Sequence, residues 1–263
     1  MTEISKRLLF ANHLADLARD AVLPYFRGAH GVQNKGIGEY DPVTLADCAC
    51  EQAIRDAILK NFPDDGIIGE EFEKSIGKND WEWVIDPIDG TRAFVAGTST
   101  WGVLISAYKN DLPIIGVMDQ PFTGERWVGS PLEAVWKNNV SQSILCSNQD
   151  ATIENSVLAT TDPYLFKGLE KQAFESLREI APITRYGLDC TAYGLLAGGT
   201  IGLVVESGLK QVDLGALIPI VENSGGIFTD WNGNKNPKTG QVIAAANKHI
   251  HNQAIEILQK AAQ

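Results

Sequence analysis

The stretch WVIDPIDGTRAF, Trp83 to Phe94, ends an apolar run on one aspartate and places a second three residues later, with Pro87 between them and Gly-Thr and a cation behind. Trp81 to Asp86 has the composition of a buried strand. Asp86 closes that strand in this reading and Asp89 begins the next segment, so both carboxylates sit at one sheet edge with the Ile88 carbonyl exposed between them. Pro87 fixes φ and removes a backbone donor, which helps hold that carbonyl outward. Two carboxylates and a carbonyl make a hard-oxygen set suited to Mg²⁺, which keeps waters and is usually completed by substrate phosphate. Gly90 and Thr91 then offer backbone N–H groups at a helix start, a seat for a phosphate oxygen. The same residues also spell an ordinary turn, because Asp, Pro and Gly are the commonest turn formers.

Other acids weigh against the plain turn. Gly69-Glu70-Glu71 ends a strand-like run from Gly66, and if that run pairs with Trp81 to Asp86, its terminal carboxylates lie near Asp86. Asp213 opens a helix after an irregular stretch, and Glu206 ends a strand. Asp47, three residues after Thr44, has the spacing of a capping box, and spacing alone favours that role.

Around these acids the chain divides into two styles. Ile4, Leu8, Ala11, Ala15, Ala18, Val22 and Tyr25 recur at three- and four-residue steps, one apolar face of a long helix. Gly28 to Tyr40 reads as a loop or loose hairpin, and Asp41-Pro42-Val43 leads into a second helix through about Phe62. Pro63-Asp64-Asp65-Gly66 ends it with turn chemistry, and apolar segments at Val103 to Tyr108 and Ile114 to Asp119 make the rest of this half mostly sheet. The second half alternates: strands at Ser156 to Thr160, Ile183 to Tyr186 and Ile201 to Glu206, with helices at Lys167 to Ile180, from Asp189 and from Asp213. That alternation implies helices layered on sheets. The expectation is one domain over 1–263, its N-terminal half about 1–140 and its C-terminal half about 141–263, with a seam at Val140 to Asp150 too short to free one from the other.

Composition narrows the function. With 44% hydrophobic and 21% charged residues there is no case for disorder or a fibrous repeat. A net charge of −11 argues against a nucleic-acid partner, since polyanion affinity rests on clustered Lys and Arg. The longest uncharged run, Cys190 to Val205, is too short to span a bilayer, and the N-terminus lacks a signal-peptide apolar core, so the expectation is a cytoplasmic protein with no membrane partner. Cys48, Cys50, Cys146 and Cys190 show no Cys-x-x-Cys pairing and are expected to be buried, reduced thiols. His249-Ile-His251 has a spacing that suits two metal ligands on a strand face, but no third ligand stands nearby and a polar pair opening an amphipathic segment explains it.

Taken together, Asp41-Pro42-Val43-Thr44-Leu45-Ala46-Asp47, Gly69-Glu70-Glu71, Trp83 to Thr91 and Val212-Asp213-Leu214-Gly215-Ala216 resemble, in order and interval, the inositol monophosphatase family of metal-dependent phosphatases. The resemblance implies a layered αβαβα sandwich of the α+β class. It also implies that Glu70, Asp86 and the Ile88 carbonyl bind one Mg²⁺, that Asp86, Asp89 and Asp213 bind a second, and that two or three ions serve each active site. Thr91, paired with Asp47, would orient and activate the attacking water, with Glu70 joining them in catalysis, while Gly90 and Thr91 hold the phosphate. A homodimer is the family expectation. Two metals clamping an in-line displacement need no nucleophilic Ser-His or Cys-His pair.

Within the family, Arg92-Ala93-Phe94, Thr100-Trp101-Gly102, Arg185 with Asp189-Cys190, and Glu206 to Lys210 resemble the histidinol-phosphatase branch of histidine biosynthesis. Glu206 and Asp189 would then pair with the amine or imidazole of L-histidinol phosphate, and Arg185 would support the site. Thr191 stands where that branch often has an aromatic residue, and Gly202 where the family usually has Asp. The alternatives are an inositol-1-monophosphatase or other sugar-phosphate monophosphatase, a nucleotide bisphosphate phosphatase, for which the chain lacks an evident basic site, and, from another class, a non-catalytic metal-responsive binding protein.

Overall fold

The computed structural model describes residues 1–28, 33–34, 42–238 and 240–262. The first layer is a helix pair, α1 (Glu3–Val22) and α2 (Leu45–Asn61), separated by two short antiparallel strands, β1 (Gln33–Asn34) and β2 (Pro42–Val43). The remainder of the expected loop or hairpin at 28–40 lies outside the described residues. Beneath the helices runs a seven-stranded sheet in sequence order: β3 (Gly66–Gly69), β4 (Trp81–Asp89), β5 (Gly102–Lys109), β6 (Leu112–Gln120), β7 (Glu125–Ser130), β8 (Glu133–Lys137) and β9 (Gln142–Ile144). β3 is parallel to β4 and every other pairing is antiparallel. A short helix, α3 (Thr91–Ala96), follows β4.

The second sheet has the order β11 (Ile183–Tyr186), β10 (Val157–Thr160), β12 (Leu203–Leu209), β14 (Gly240–Ala245), β13 (Ile227–Asp230). Its helices are α4 (Leu169–Ile180), α5 (Thr191–Ala197), α6 (Gln211–Leu214), α7 (Leu217–Asn223) and α8 (Lys248–Leu258).

Strand periodicity sorts these elements into five layers. Val103 and Ile105 face the α1/α2 core with Leu14, Ala18 and Ile54, whereas Leu104 between them faces Tyr193, Leu196, Leu217 and Ile220 of α5 and α7. Val204 joins that central cluster from the second sheet, and its neighbours Leu203 and Val205 face outward to Phe174, Leu177, Ile250 and Leu258 of α4 and α8. The order is therefore α1/α2, large sheet, α5–α7, small sheet, α4/α8, and the central helices are covered on both sides. Sheets buried on both faces explain why β5, β6 and β12 read as nearly continuous apolar runs.

Several expectations are adjusted. β4 does not end at Asp86 but runs to Asp89 with a register shift between the two, because β5 resumes pairing at Gly102. α6 begins at Gln211, so Asp213 lies inside its first turn, where its carboxylate accepts the Lys210 N–H at 2.7 Å. Cys50 and Cys190 are buried and free as expected, but Cys146 is exposed in the segment joining the two sheets. His249 and His251 lie in α8, not on a strand, and His251 Nε2 sits 2.8 Å from Thr229 Oγ1 as a core partner. Among the described residues no helix is long and apolar enough to cross a membrane.

Candidate active site

The parallel pairing of β3 with β4, Gly69 opposite Ile85, delivers Glu70 beside Asp86. Buried Glu51 of α2 fixes the turn beyond β3 by accepting the Glu71 N–H at 2.7 Å while pairing with Arg55. A Cβ at Gly69 would stand 1.9 Å from the Glu51 carboxylate, so this approach requires glycine. Downstream, Phe94 anchors α3 in an aromatic cluster with Trp101 and Phe26, which sets Gly90 and Thr91 at the mouth of the cleft.

The resulting cleft, of about 220 Å³, is lined by Glu70, Asp86, Ile88, Asp89, Gly90, Thr91, Arg92, Thr161, Leu165, Asp189, Glu206, Ser207, Leu209 and Asp213. Asp86, Asp89 and Asp213 present carboxylate oxygens that all lie within 4.8 Å of one another. Asp86 Oδ1 accepts the Ile88 N–H at 3.0 Å, and Asp89 Oδ2 the Cys190 N–H at 2.8 Å. These bonds do not offset the crowding: burial, then the charges of Glu70, Asp89, Asp213 and Asp47, pushes the Asp86 carboxyl well above its ordinary range. Burial and then Asp189 and Asp213 push Asp89 the same way, and burial, with Glu70 and against Lys210, raises Asp213 to about 6. An all-oxygen, like-charged donor set of this kind, with Asp86 buried and Asp89 and Asp213 half-buried, fits a hard divalent cation, which would remove the repulsion.

Thr91 Oγ1 donates to the Ile88 carbonyl at 3.0 Å, leaving that oxygen a second lone pair for the cleft. Asp47 is 1% exposed and does not line the cleft; it forms the capping box, accepting both the N–H and hydroxyl of Thr44, while its charge bears on Asp86 from behind. Lys210 Nζ pairs with Glu70 at 2.9 Å, so its backbone and side chain each hold an acid of the cleft.

The opposite wall belongs to β12, whose pairing with β14 slips between Glu206 and Leu209 around Gly208 at φ 84°. This bulge turns Glu206, Ser207 and Leu209 into the cleft. Glu206 is 3% exposed, and burial raises its carboxyl to about 7 against the opposing hydrogen bonds of Thr161 and Thr160. Asp189, held at φ 46°, is raised to about 6 by burial, with Thr100 and Arg92 acting against it.

Of the expected substrate residues, Gly90, Thr91, Asp189 and Glu206 line the cleft and Arg185 does not. Arg185 is exposed on edge strand β11, opposite Ala159 and two strands from Glu206, a span of about 10 Å in a sheet. Thr160 and Thr161, which hold Glu206, escaped the sequence reading because nothing in their spacing links them to a residue so distant in the chain. Neither departure from the family pattern touches the cleft: a Cβ at Gly202 would meet the Ser156 side chain at 2.3 Å, so a serine fills the room there, and Thr191 is buried with its hydroxyl on the Leu188 carbonyl.

Comparison with known proteins agrees with this geometry. The family model described as inositol monophosphatase family matches residues 3–263. The bifunctional phosphatase IMPL2, a chloroplastic protein of Arabidopsis thaliana, is 35% identical over 98% of this chain and 76% of its own length. A histidinol-phosphatase of Chlorobaculum parvum is 34% identical over 91% of this chain and 92% of its own. An inositol-1-monophosphatase of Rhizobium meliloti is 26% identical over 93% and 91%. Among solved structures, an inositol monophosphatase from Zymomonas mobilis superposes with a TM-score of 0.85 at 37% identity, covering 98% of this chain and 100% of that one. With the five layers, the bulged Asp-Pro-Ile-Asp strand and the match along nearly the whole sequence in agreement, the chain belongs to the inositol monophosphatase family, metal-dependent phosphatases among whose members it has histidinol-phosphatase relatives.

Proposed function

We propose that this chain is a Mg²⁺-dependent phosphomonoesterase that hydrolyses L-histidinol phosphate to L-histidinol and phosphate by in-line attack of water. One observation carries the choice of substrate. The cleft is lined by six acids, Glu70, Asp86, Asp89, Asp189, Glu206 and Asp213, of which Asp189 and Glu206 stand outside the metal set. Glu206 is buried and Asp189 half-buried, and desolvation makes the ionisation of both costly, raising them to about 7 and about 6. A cationic alcohol offsets those two charges; a neutral polyol leaves them unmatched.

In this reading Glu70, Asp86 and the Ile88 carbonyl hold one ion, and Asp86, Asp89 and Asp213 a second. Bound there, Mg²⁺ supplies charge neutralisation at the phosphate and a lowered pKa for water. Gly90 and Thr91 seat the phosphate, Thr91 with Glu70 aligns the attacking water while Asp47 acts on the site only through its charge behind Asp86, and Asp189 and Glu206 take the amine or imidazolium. The N-terminal half thus furnishes most of the metal wall and the C-terminal half the substrate wall of one phosphatase domain.

The competing substrate is an inositol or sugar monophosphate, a reading supported by the inositol monophosphatase of Zymomonas mobilis at 37% identity. Phosphate release from histidinol phosphate, inositol 1-phosphate and a hexose phosphate, measured side by side with Mg²⁺, decides between them. The expected result is a kcat/KM at least about tenfold higher for histidinol phosphate, one hydrogen bond to a charged group being worth that much, falling to background in EDTA and recovering with Mg²⁺. Preference for the inositol ester reverses the substrate assignment, and no turnover of any ester leaves a non-catalytic metal-binding protein.

A further inference from the structure

Glu206 does not meet the cleft as a free carboxylate. Its Oε1 accepts the Thr161 N–H at 2.6 Å and the Thr161 hydroxyl at 2.9 Å, and its Oε2 accepts the Thr160 hydroxyl at 3.1 Å. A carboxylate has about four acceptor positions. Two on Oε1 and one on Oε2 are filled, so one position, on Oε2, is left for a ligand.

We propose that Thr161 is a positioning residue that restricts Glu206 to a single acceptor position, which selects phosphomonoesters whose cationic end donates one N–H at a point, an ammonium or an imidazolium, over planar guanidinium groups that need both oxygens. A guanidinium binds a carboxylate by two parallel N–H bonds, and Oε1 cannot take part without losing Thr161. A point donor needs no such exchange. Thr160 ends β10, the strand adjacent to β12, and Thr161 follows directly with its carbonyl accepting the Gly187 N–H at 2.9 Å, so the restriction sits at the end of the sheet.

The same three donors oppose the rise in the Glu206 pKa that burial causes. The other titratable groups facing Glu206 are Asp189, ahead of α5, and Tyr193 on α5, whose hydroxyl is buried without a partner among the described residues. From the β14 side the residue opposite is Val242, which carries no charge. Removing the Thr161 hydroxyl therefore moves the Glu206 titration upward.

This inference rests on the histidinol phosphate reading, and the two fail in different ways. Thr161→Val and Thr161→Ser are compared with the unaltered protein on histidinol phosphate, inositol 1-phosphate and a guanidinoalkyl phosphate. In Thr161→Val the preference for histidinol phosphate over inositol 1-phosphate should fall about tenfold, the loss residing in KM, while discrimination against the guanidino ester narrows. Thr161→Ser should restore both. Carbon-detected NMR titration of the Glu206 carboxyl, assigned with Glu206→Gln, should show its midpoint moved to higher pH in Thr161→Val and returned in Thr161→Ser, whichever ester the protein prefers. An unmoved midpoint, equal losses on all three esters, or no rescue by serine overturns the positioning role. An enzyme that ignores histidinol phosphate while the midpoint still moves overturns the substrate reading alone.

Discussion

Two strands break register at the cleft, β4 between Asp86 and Asp89 and β12 between Glu206 and Leu209, and they use the irregularity to opposite ends. The β4 bulge brings acids together and leaves them repelling one another. The β12 bulge brings out one acid already satisfied by three donors. A wall of acids that crowd one another and a wall whose acid is held by its own donors, with one position left for a ligand, predict different sensitivities to the same perturbations.

The metal wall should give the largest effect. Asp89→Asn replaces a carboxylate shared by the cluster with an amide, and turnover of every phosphomonoester should fall on the order of 10²-fold or more, with the circular dichroism spectrum unchanged. Near-normal kcat at saturating Mg²⁺ would contradict the assignment of this wall.

At the substrate wall the effect should be smaller and selective. Glu206→Gln should cost histidinol phosphate about 1.5–3 kcal/mol in kcat/KM, the range for a hydrogen bond to a charged group, and a small neutral phosphomonoester much less. Equal losses on both esters would mean that Glu206 supports the metal wall, erasing the difference between the two.

A third effect falls on stability, not on turnover. The native carboxyls of Asp213 and Asp189 are raised from 3.8 to about 6, and that of Glu206 from 4.5 to about 7. The folded chain then binds more protons than the unfolded one across this window, so stability is fully present below about pH 4 and is lost as pH rises through 6 to 7. Metal-free protein should melt several degrees lower at pH 8 than at pH 5, as a thermal melt at the two pH values would read. Mg²⁺ should raise the melting temperature more at pH 8. Equal metal effects at the two pH values would place the ion elsewhere.

The acidic cluster was legible in the sequence because its chemistry is local: Asp86, Pro87, Ile88 and Asp89 lie together, and Glu70 and Asp213 stand in short motifs of their own. That helices layer on sheets was legible too, through the helical face of α1 and the strand–helix alternation beyond residue 150, whereas the five-layer order came from the family resemblance. The strands Glu125–Ser130, Glu133–Lys137 and Gln142–Ile144 were not, since they are short and two of them are polar on exposed positions. Arg185 was misplaced and Thr161 overlooked for one reason. Which residues of neighbouring strands share a cleft depends on strand order, here β11-β10-β12, and no local pattern encodes that order.

Asp213 stands at the entrance to the helical layer between the two sheets, whereas Asp86 and Asp89 come from the other half of the chain. Asp86 and Asp89 crowd each other within β4 itself, but Asp213 joins them only when α6 has docked on that strand, so its share of the repulsion is absent from a molecule whose central helices are not yet in place. A cation that relieves it acts on the finished fold alone. It would lengthen the lifetime of the native chain without hastening its formation, because an interaction missing from the transition state appears in the unfolding rate.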